Sequence, residues 1–519
     1  MRGRLFARKP LALLQQEAGN EQRLKRVLGP VSLTGLGVGG IIGTGIFVML
    51  GLAAHSKAGP AITLSFVLAA TACIAIALCY AEFASTVPAG GSAYTYAYAT
   101  LGELPAWVIG WNLVTCYLLG AASVAQGWSH YFQSFVGAFG LRLPGALTGA
   151  PMDYDAAAGK VLATGAILDL PAALIVVLMA VVIVRGLRAS LRFNLAMLIV
   201  KLAVILFVIG VGTFFIHPQN WHPFAPYGLG GLSLFGKTWG QVAEGGRPVG
   251  MFAGAALVFY AYIGFDALSV YTEECRTPRR DVPIAILASV GICAALYVVV
   301  ATVLTGMVRY DLISIKAPVS DAFRQVGLPW AQFLVALGAL TGITSVLLVM
   351  LLSLPRILLA MGRDGMIPSR FFNAVHPRYQ TPWKAALFAS ALIVPISALL
   401  PLGMLADLAI MAVLFGYLVI CGAVLLLRRT YTEKEPVFRA PFGPLVPIFG
   451  IVTCLLLMLS LPAENWLRLF AWLLVGLAVY LLYGRRHSVL ALHLSAESEQ
   501  RMGAAAVQEL GPISLIREE

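Results

Sequence analysis

Twelve runs of roughly 20 mostly apolar residues constrain this chain more than any other feature, because a helix of that length and composition is what crosses the hydrocarbon core of a bilayer. They centre near residues 41, 72, 118, 178, 204, 261, 295, 345, 392, 416, 452 and 474. Only 12% of the 519 residues are charged and the mean hydropathy is +0.85, which excludes a string of soluble domains. Backbone polar groups in lipid must be satisfied within the segment or by protein, so the expected fold is an all-α polytopic membrane protein of about twelve transmembrane helices. One membrane domain is expected over residues 29–485. It follows a basic cytoplasmic segment, 1–28, read as an interfacial helix, and precedes a polar cytoplasmic tail, 486–519. No small-residue cleavage site follows a short apolar core, so the N-terminal segment does not read as a cleaved signal peptide.

A net charge of +12 would suit a nucleic-acid binder if the cations clustered, so their placement decides. Counting from a cytoplasmic N-terminus, 26 of the 36 Lys and Arg fall in inner segments; Lys57, Arg142, Lys160, Lys237, Arg247, Arg309, Lys316, Arg324 and Arg468 fall outside. That asymmetry is the positive-inside rule. The basicity therefore sets topology and attracts lipid headgroups, with both termini cytoplasmic, and nucleic acid is rejected as a partner. Seven cysteines without a C-x-x-C pair indicate neither a disulfide framework nor a thiolate metal site. The seven histidines are scattered and no convergent Ser, His and Asp set stands out, so no enzyme, metal or cofactor is expected.

The first span contains Gly37 to Val48, GVGGIIGTGIFV, with five glycines in twelve residues. Glycine costs a helix about 1 kcal/mol relative to alanine, so something must compensate. Gly35, Gly39 and Gly43, spaced by four, form a small-xxx-small face that would let helices approach closely. The alternative is that the helix unwinds around Gly43, Thr44 and Gly45, aiming backbone amides at an anionic group such as a substrate carboxylate. Gly35 to Gly40 also matches G-x-G-x-x-G formally, but a basic segment and not a strand precedes it, and the dinucleotide reading fails. Five spans later Gly264 and Asp266 interrupt a second apolar run, Gly254 to Glu274. Irregular helices at matching places are what two inverted repeats predict.

GGIIGTGIFV, CYAEFAS (79–85), GGSAYTYAYATLGELPAWVIGW (90–111), YAYIGFDALS (260–269) and AMGRDGMIP (360–368) together resemble the cationic amino acid transporter branch of the amino acid-polyamine-organocation superfamily, over roughly residues 22–485. The resemblance implies a leucine-transporter-like five-plus-five inverted repeat with broken helices one and six, two further helices, and an amino acid bound between the breaks. On this pattern Gly43, Thr44 and Gly45 meet the substrate carboxylate, and Tyr260, Ala261 and Ile263 offer carbonyls to its ammonium group. Tyr260 stands where the family usually has a phenylalanine gate. Thr115 and Cys116 on span three face the side chain. The family pattern there resembles W-D-L-x-L-E-Y, and this chain replaces both acids, with Asn112 and Cys116. A cationic side chain loses a natural partner, which points to neutral amino acids.

Lys201 lies nine residues beyond Arg192, about 13 Å into its span at 1.5 Å per residue. A charge at that depth costs about 3 kcal/mol on insertion scales. Snorkelling to the interface is one outcome. The resemblance implies another, a lysine bridging span five to the unwound part of span one and to hydroxyls on span eight, for which Thr344 and Ser345 are candidates. Asp266 either caps the half-helix that follows it or takes part in proton transfer. Glu82, Glu103, Glu273 and Glu274 read as ion pairs of an inner gate, the last two beside Arg276, Arg279 and Arg280. Pro355 predicts a kink late in span eight.

The expected function is a secondary amino acid permease of the cytoplasmic membrane, coupled to protons and favouring neutral substrates. A cationic amino acid carrier and a non-concentrating exchanger or sensor stay open, polyamines fit less well for want of a carboxylate, and a small accessory membrane subunit is left undecided.

Overall fold

Eleven of the twelve apolar centres fall in α-helices of the computed structural model and the twelfth, residue 261, in the tight turn Phe259–Tyr262 that continues one; the structure describes residues 5–10, 28–87, 92–141, 143–155, 160–184, 187–234, 237–243, 247–430 and 437–492. In chain order these helices are α1 (Pro30–Ile41), α2 (Ile62–Thr86), α3 (Glu103–Gly137), α4 (Leu170–Val184), α5 (Leu187–Gly212), α6 (Met251–Val258), α7 (Pro278–Met307), α8 (Pro329–Arg363), α9 (Trp383–Leu399), α10 (Leu402–Thr430), α11 (Leu445–Leu459) and α12 (Ala463–Val479). Among the described residues eight helical stretches are long and apolar enough to cross a membrane, one being the Pro30–Thr86 stretch that holds α1 and α2; α4, α9 and α11 are shorter. The chain is a polytopic helical membrane protein. The interfacial helix and the polar tail expected at the two ends lie mostly outside the described residues.

Two antiparallel hairpins sit in the long loops and carried no strong sequence signal: Met152–Asp155 with Lys160–Ala163, and Leu232–Leu234 with Lys237–Trp239. Strands of three or four residues with little alternation are hard to separate from loop by periodicity. Helix α8 runs on through Pro355, whose missing N–H is tolerated in a stretch, 342–359, where every residue is buried.

Two packed groups organise the core. Helix α7 lies against α1 and α2, with α6 against α2; α3, α4, α8 and α9 pack on one another, and α5 bridges α1 to α8. The small-residue face of α1 makes these approaches. A Cβ at Gly39 would lie 2.6 Å from Asn194 on α5, and one at Gly40 would lie 2.8 Å from Val349 on α8. Association in lipid relies on such fit, since apolar burial gives no advantage over lipid tails. The packing reading of these glycines is therefore correct, and it coexists with the break described below.

The end of the bundle at which α2 and α10 finish is tied by a buried ion pair. Arg428 Nε and Nη2 donate to the two carboxylate oxygens of Glu82 at 2.7 and 2.6 Å, and the Ala440 amide adds a third donor at 2.9 Å, tying α2 to the end of α10. Arg428→Met leaves Glu82 buried with one amide, which should lower stability by about 3–5 kcal/mol. A thermal melt in detergent should show that loss, and adding Glu82→Gln should restore most of it.

Candidate substrate and coupling site

Helix α1 stops at Ile41, and Ile42 turns extended (φ −76°, ψ 105°) before the chain resumes as a wide turn from Gly45 to Met49. The Ile42 amide still reaches Val38 O at 3.1 Å, and the Phe47 amide reaches Gly43 O at 3.1 Å. The amides of Gly43, Thr44 and Gly45 lie between those two closures. Helix α6 breaks in the same manner. It tightens over Phe259–Tyr262, extends at Ile263 (φ −60°, ψ 133°), and turns at Gly264, whose φ of +121° strains any residue with a side chain. A Cβ at Gly264 would also meet Gly40 O at 2.6 Å.

The two breaks touch. A Cβ added to Gly45 would overlap the Cα and Cβ of Ala261, so only glycine lets these backbones meet. The Tyr297 hydroxyl from α7 stands within reach of both, 2.9 Å from Ile41 O and 3.0 Å from Ala261 O. Thr44 is 1% exposed, with its methyl group against Gly127 of α3 and its hydroxyl without a partner among the described residues. An unpaired buried hydroxyl is costly and asks for an explanation, which a ligand at the break would supply.

Lys201 answers for the carbonyls that the break frees. Fully buried on α5, its Nζ donates to Gly39 O at 2.7 Å, Ile42 O at 2.8 Å and Ser345 Oγ at 2.9 Å, with Val38 O at 3.3 Å. Ser345 itself donates to Gly39 O at 2.6 Å. The lysine does not snorkel. Of the two hydroxyls expected on span eight only Ser345 is a partner: Thr344 Oγ1 donates back to Leu340 O at 2.7 Å, one turn earlier, because its side chain emerges about 100° further round the helix.

Asp266 makes no side-chain cap for the short helix Ala267–Val270. Its carboxylate instead accepts from Tyr117 on α3 at 2.8 Å and Tyr417 on α10 at 2.9 Å, fully buried. Both tyrosines escaped the sequence reading, although a hydroxyl inside an apolar span is the signal that marks them. Tyr260 is held by the Ser123 hydroxyl and lies 3.3 Å from Gly120 O, so its ring is pinned to α3. Tyr260 O accepts from the Ile263 amide at 3.2 Å and Ala261 O from Tyr297, leaving each one lone pair for a ligand.

Span three corrects the side-chain reading. Thr115 faces a lateral groove, where its hydroxyl accepts from Trp472 of α12 at 2.5 Å, and it does not face the breaks. Asn112 lines the same groove and donates to Ala412 O on α10. Only Cys116, buried next to Tyr117, stays on the inner face. The 100° step per residue puts positions 115 and 116 on different faces, which no motif records. The gate carboxylates do form ion pairs, with partners on α8 and not among Arg276, Arg279 and Arg280: Glu274 with Arg356 at 2.8 Å and Glu273 with Arg363 at 3.1 Å. Glu103 instead takes the hydroxyls of Tyr98, Tyr480 and Ser488.

The family model described as "Amino acid permease" matches residues 28–478. The "Methylthioribose transporter" of Bacillus subtilis (strain 168) is 41% identical over 94% of this chain and 99% of its own length. The "Branched-chain amino acid permease BcaP" of the same organism is 41% identical over 94% and 100%. "Cationic amino acid transporter 4" of Homo sapiens is 31% identical over 91% and 89%.

The two hydroxyls of α8 should separate in a stability measurement. Ser345→Ala removes a partner of a buried ammonium and should cost about 1–3 kcal/mol, whereas Thr344→Ala loses one local bond and should stay near about 1 kcal/mol or below.

Proposed function

We propose, because this chain belongs to the amino acid permease family, that it is a proton-coupled secondary transporter of neutral amino acids in the cytoplasmic membrane. Membership makes it a transporter and not an enzyme. The twelve helices are read as two inverted repeats, α1–α5 and α6–α10, followed by α11 and α12, with both termini cytoplasmic. Breaks at α1 and α6, and the two groups α1, α2, α6, α7 and α3, α4, α8, α9, support that reading: each group takes corresponding members from both halves. Rocking of one group on the other then opens the midplane site to either side.

The single observation that carries coupling is Lys201 among four oxygens of broken α1 and α8. A charged ammonium has three hydrogens for those acceptors and braces α1, α5 and α8 together. The neutral amine has two hydrogens and a lone pair that faces carbonyl oxygens, so losing the proton loosens the brace. Asp266 offers a second proton-accepting group, held by Tyr117 and Tyr417. Lys201→Met keeps the apolar stem and removes the proton. It should leave folded protein that no longer accumulates substrate when only a pH difference is applied to proteoliposomes; retained accumulation would move the coupling role to Asp266.

The amides of Gly43, Thr44 and Gly45 with the Thr44 hydroxyl suit a carboxylate, and the carbonyls of Tyr260, Ala261 and Ile263 suit an ammonium group. A neutral side chain is supported by Cys116, where the family pattern has an acid, and by the branched-chain permease at 41% identity. Asn112 no longer contributes to that argument, since it faces the groove. A second reading has equal support in similarity: the methylthioribose transporter, also 41% identical, is named for a ligand without carboxylate or ammonium. A competition panel in proteoliposomes distinguishes them. Leucine should outcompete arginine and methylthioribose, and leucine amide should bind about 10–100-fold more weakly than leucine through loss of the charged acceptor. Methylthioribose in first place, or equal binding of acid and amide, would overturn the amino acid reading.

A further inference from the structure

The connection from α8 to α9 carries Arg370, Arg378 and Lys384, and the chain has no Asp or Glu between Asp364 and Asp407. Earlier on α8, Arg356 and Arg363 each hold a carboxylate. Among the described residues the three later cations have none within ion-pair distance. They lie over rings instead: the Arg378 guanidinium is 5.7 Å from the centre of Tyr379, and Lys384 Nζ is 5.9 Å from that of Phe371 and 5.7 Å from that of Trp383. Arg370 and Arg378 are exposed and Lys384 is half-buried.

The turn that presents them is fixed by its own bonds. The His376 amide donates to Thr381 O and the Gln380 amide to His376 O, both at 2.8 Å, while His376 Nδ1 accepts from the amides of Arg378 and Tyr379 at 3.2 and 3.3 Å. Helix α9 starts directly after this turn, and the start of a helix favours anions. The Thr381 hydroxyl there is 2% exposed and has no partner among the described residues. A polar group left so calls for an explanation.

Beside the cations runs an apolar lane. Leu387, Phe388, Leu392 and Leu399 recur at helical spacing on the exposed face of α9, and the exposed Phe371 packs its ring on Phe388 at 6.1 Å. Lys384, one turn before Phe388 and over Phe371, stands where that lane ends. Helix α4 runs antiparallel to α9, with the Asp169 amide on Ala398 O at 2.9 Å, so the start of α5, whose first two turns contain Arg188 and Arg192, lies at the same end. A soluble acidic partner would meet the cations and leave the lane uncovered. A phospholipid meets both, its phosphate on the cations and a chain along Leu387, Phe388 and Leu392.

We propose that the inner turn of α9 is a binding site for one anionic phospholipid, with Arg370, Arg378 and Lys384 holding the phosphate and Phe371, Tyr379 and Trp383 framing it. The site depends neither on the substrate nor on the coupling ion, and it ties the group that contains α3, α4, α8 and α9 to one leaflet. The basic and aromatic residues that line any membrane interface attract lipid diffusely. A built site differs in that neighbouring cations cannot replace its own.

Native mass spectrometry of the purified full chain, titrated with phosphatidylglycerol or phosphatidylcholine, tests it. Phosphatidylglycerol should bind at least about tenfold more tightly. Arg378→Gln, at an exposed position, should weaken it about fivefold, and the triple change Arg370→Gln, Arg378→Gln and Lys384→Gln about 100-fold, at about fivefold for each charge near a membrane surface. Arg485→Gln with Arg486→Gln removes two exposed charges beyond α12 and should leave the affinity unchanged. Free glycerol phosphate, which lacks the chains, should not compete. Equal affinity for the two lipids, full affinity in the triple variant, or an equal loss in the Arg485 and Arg486 variant overturns the site, and displacement of the lipid by an equal concentration of glycerol phosphate overturns the lipid as its occupant.

Discussion

A helix interrupted at membrane depth leaves carbonyl and amide groups without partners, and the centre of this protein is arranged around that need. Lys201 takes the carbonyls of Gly39 and Ile42, Tyr297 takes that of Ile41 or of Ala261, and Ser345 ties Gly39 to α8. Groups from α5, α7 and α8 thus converge on a few residues of α1. Any displacement of α1 would have to exchange several of these bonds at once.

Charged groups are distributed to match. The end at which α2, α8 and α10 finish carries pairs between spans six and eight, Glu274 with Arg356 and Glu273 with Arg363, and Lys9 with Asp364 at 2.5 Å. The opposite end has mixed charges around a void. Removing one partner of the fully buried Glu274–Arg356 pair would leave a charge uncompensated in low dielectric, whereas Glu273–Arg363 is partly open to solvent. Between the ends, Asp266 needs no cation, because two tyrosine hydroxyls satisfy its oxygens.

The glycines of the first span serve two purposes that a sequence reading treats as rivals. Gly39 and Gly40 allow close packing on α5 and α8, while Gly45 allows the two breaks to touch at Ala261. Packing and unwinding are linked: only a helix that approaches its neighbours closely can hand its freed carbonyls to their side chains.

Much of this was legible in one dimension. The twelve apolar runs, the two interrupted spans and the depth of Lys201 follow from composition, spacing and the rise of a helix, because lipid permits few backbone solutions. Which side chain faces which was not legible. Thr115 and Cys116 are neighbours in sequence and look onto different surroundings; Thr344 and Ser345 likewise divide, one bonding its own helix and one bonding Lys201. Tyr117 and Tyr417 lie 300 residues apart and meet on one carboxylate. Helix rotation and the partners of a buried polar group are set by contacts between segments distant in the chain, and those exist only once the bundle has packed.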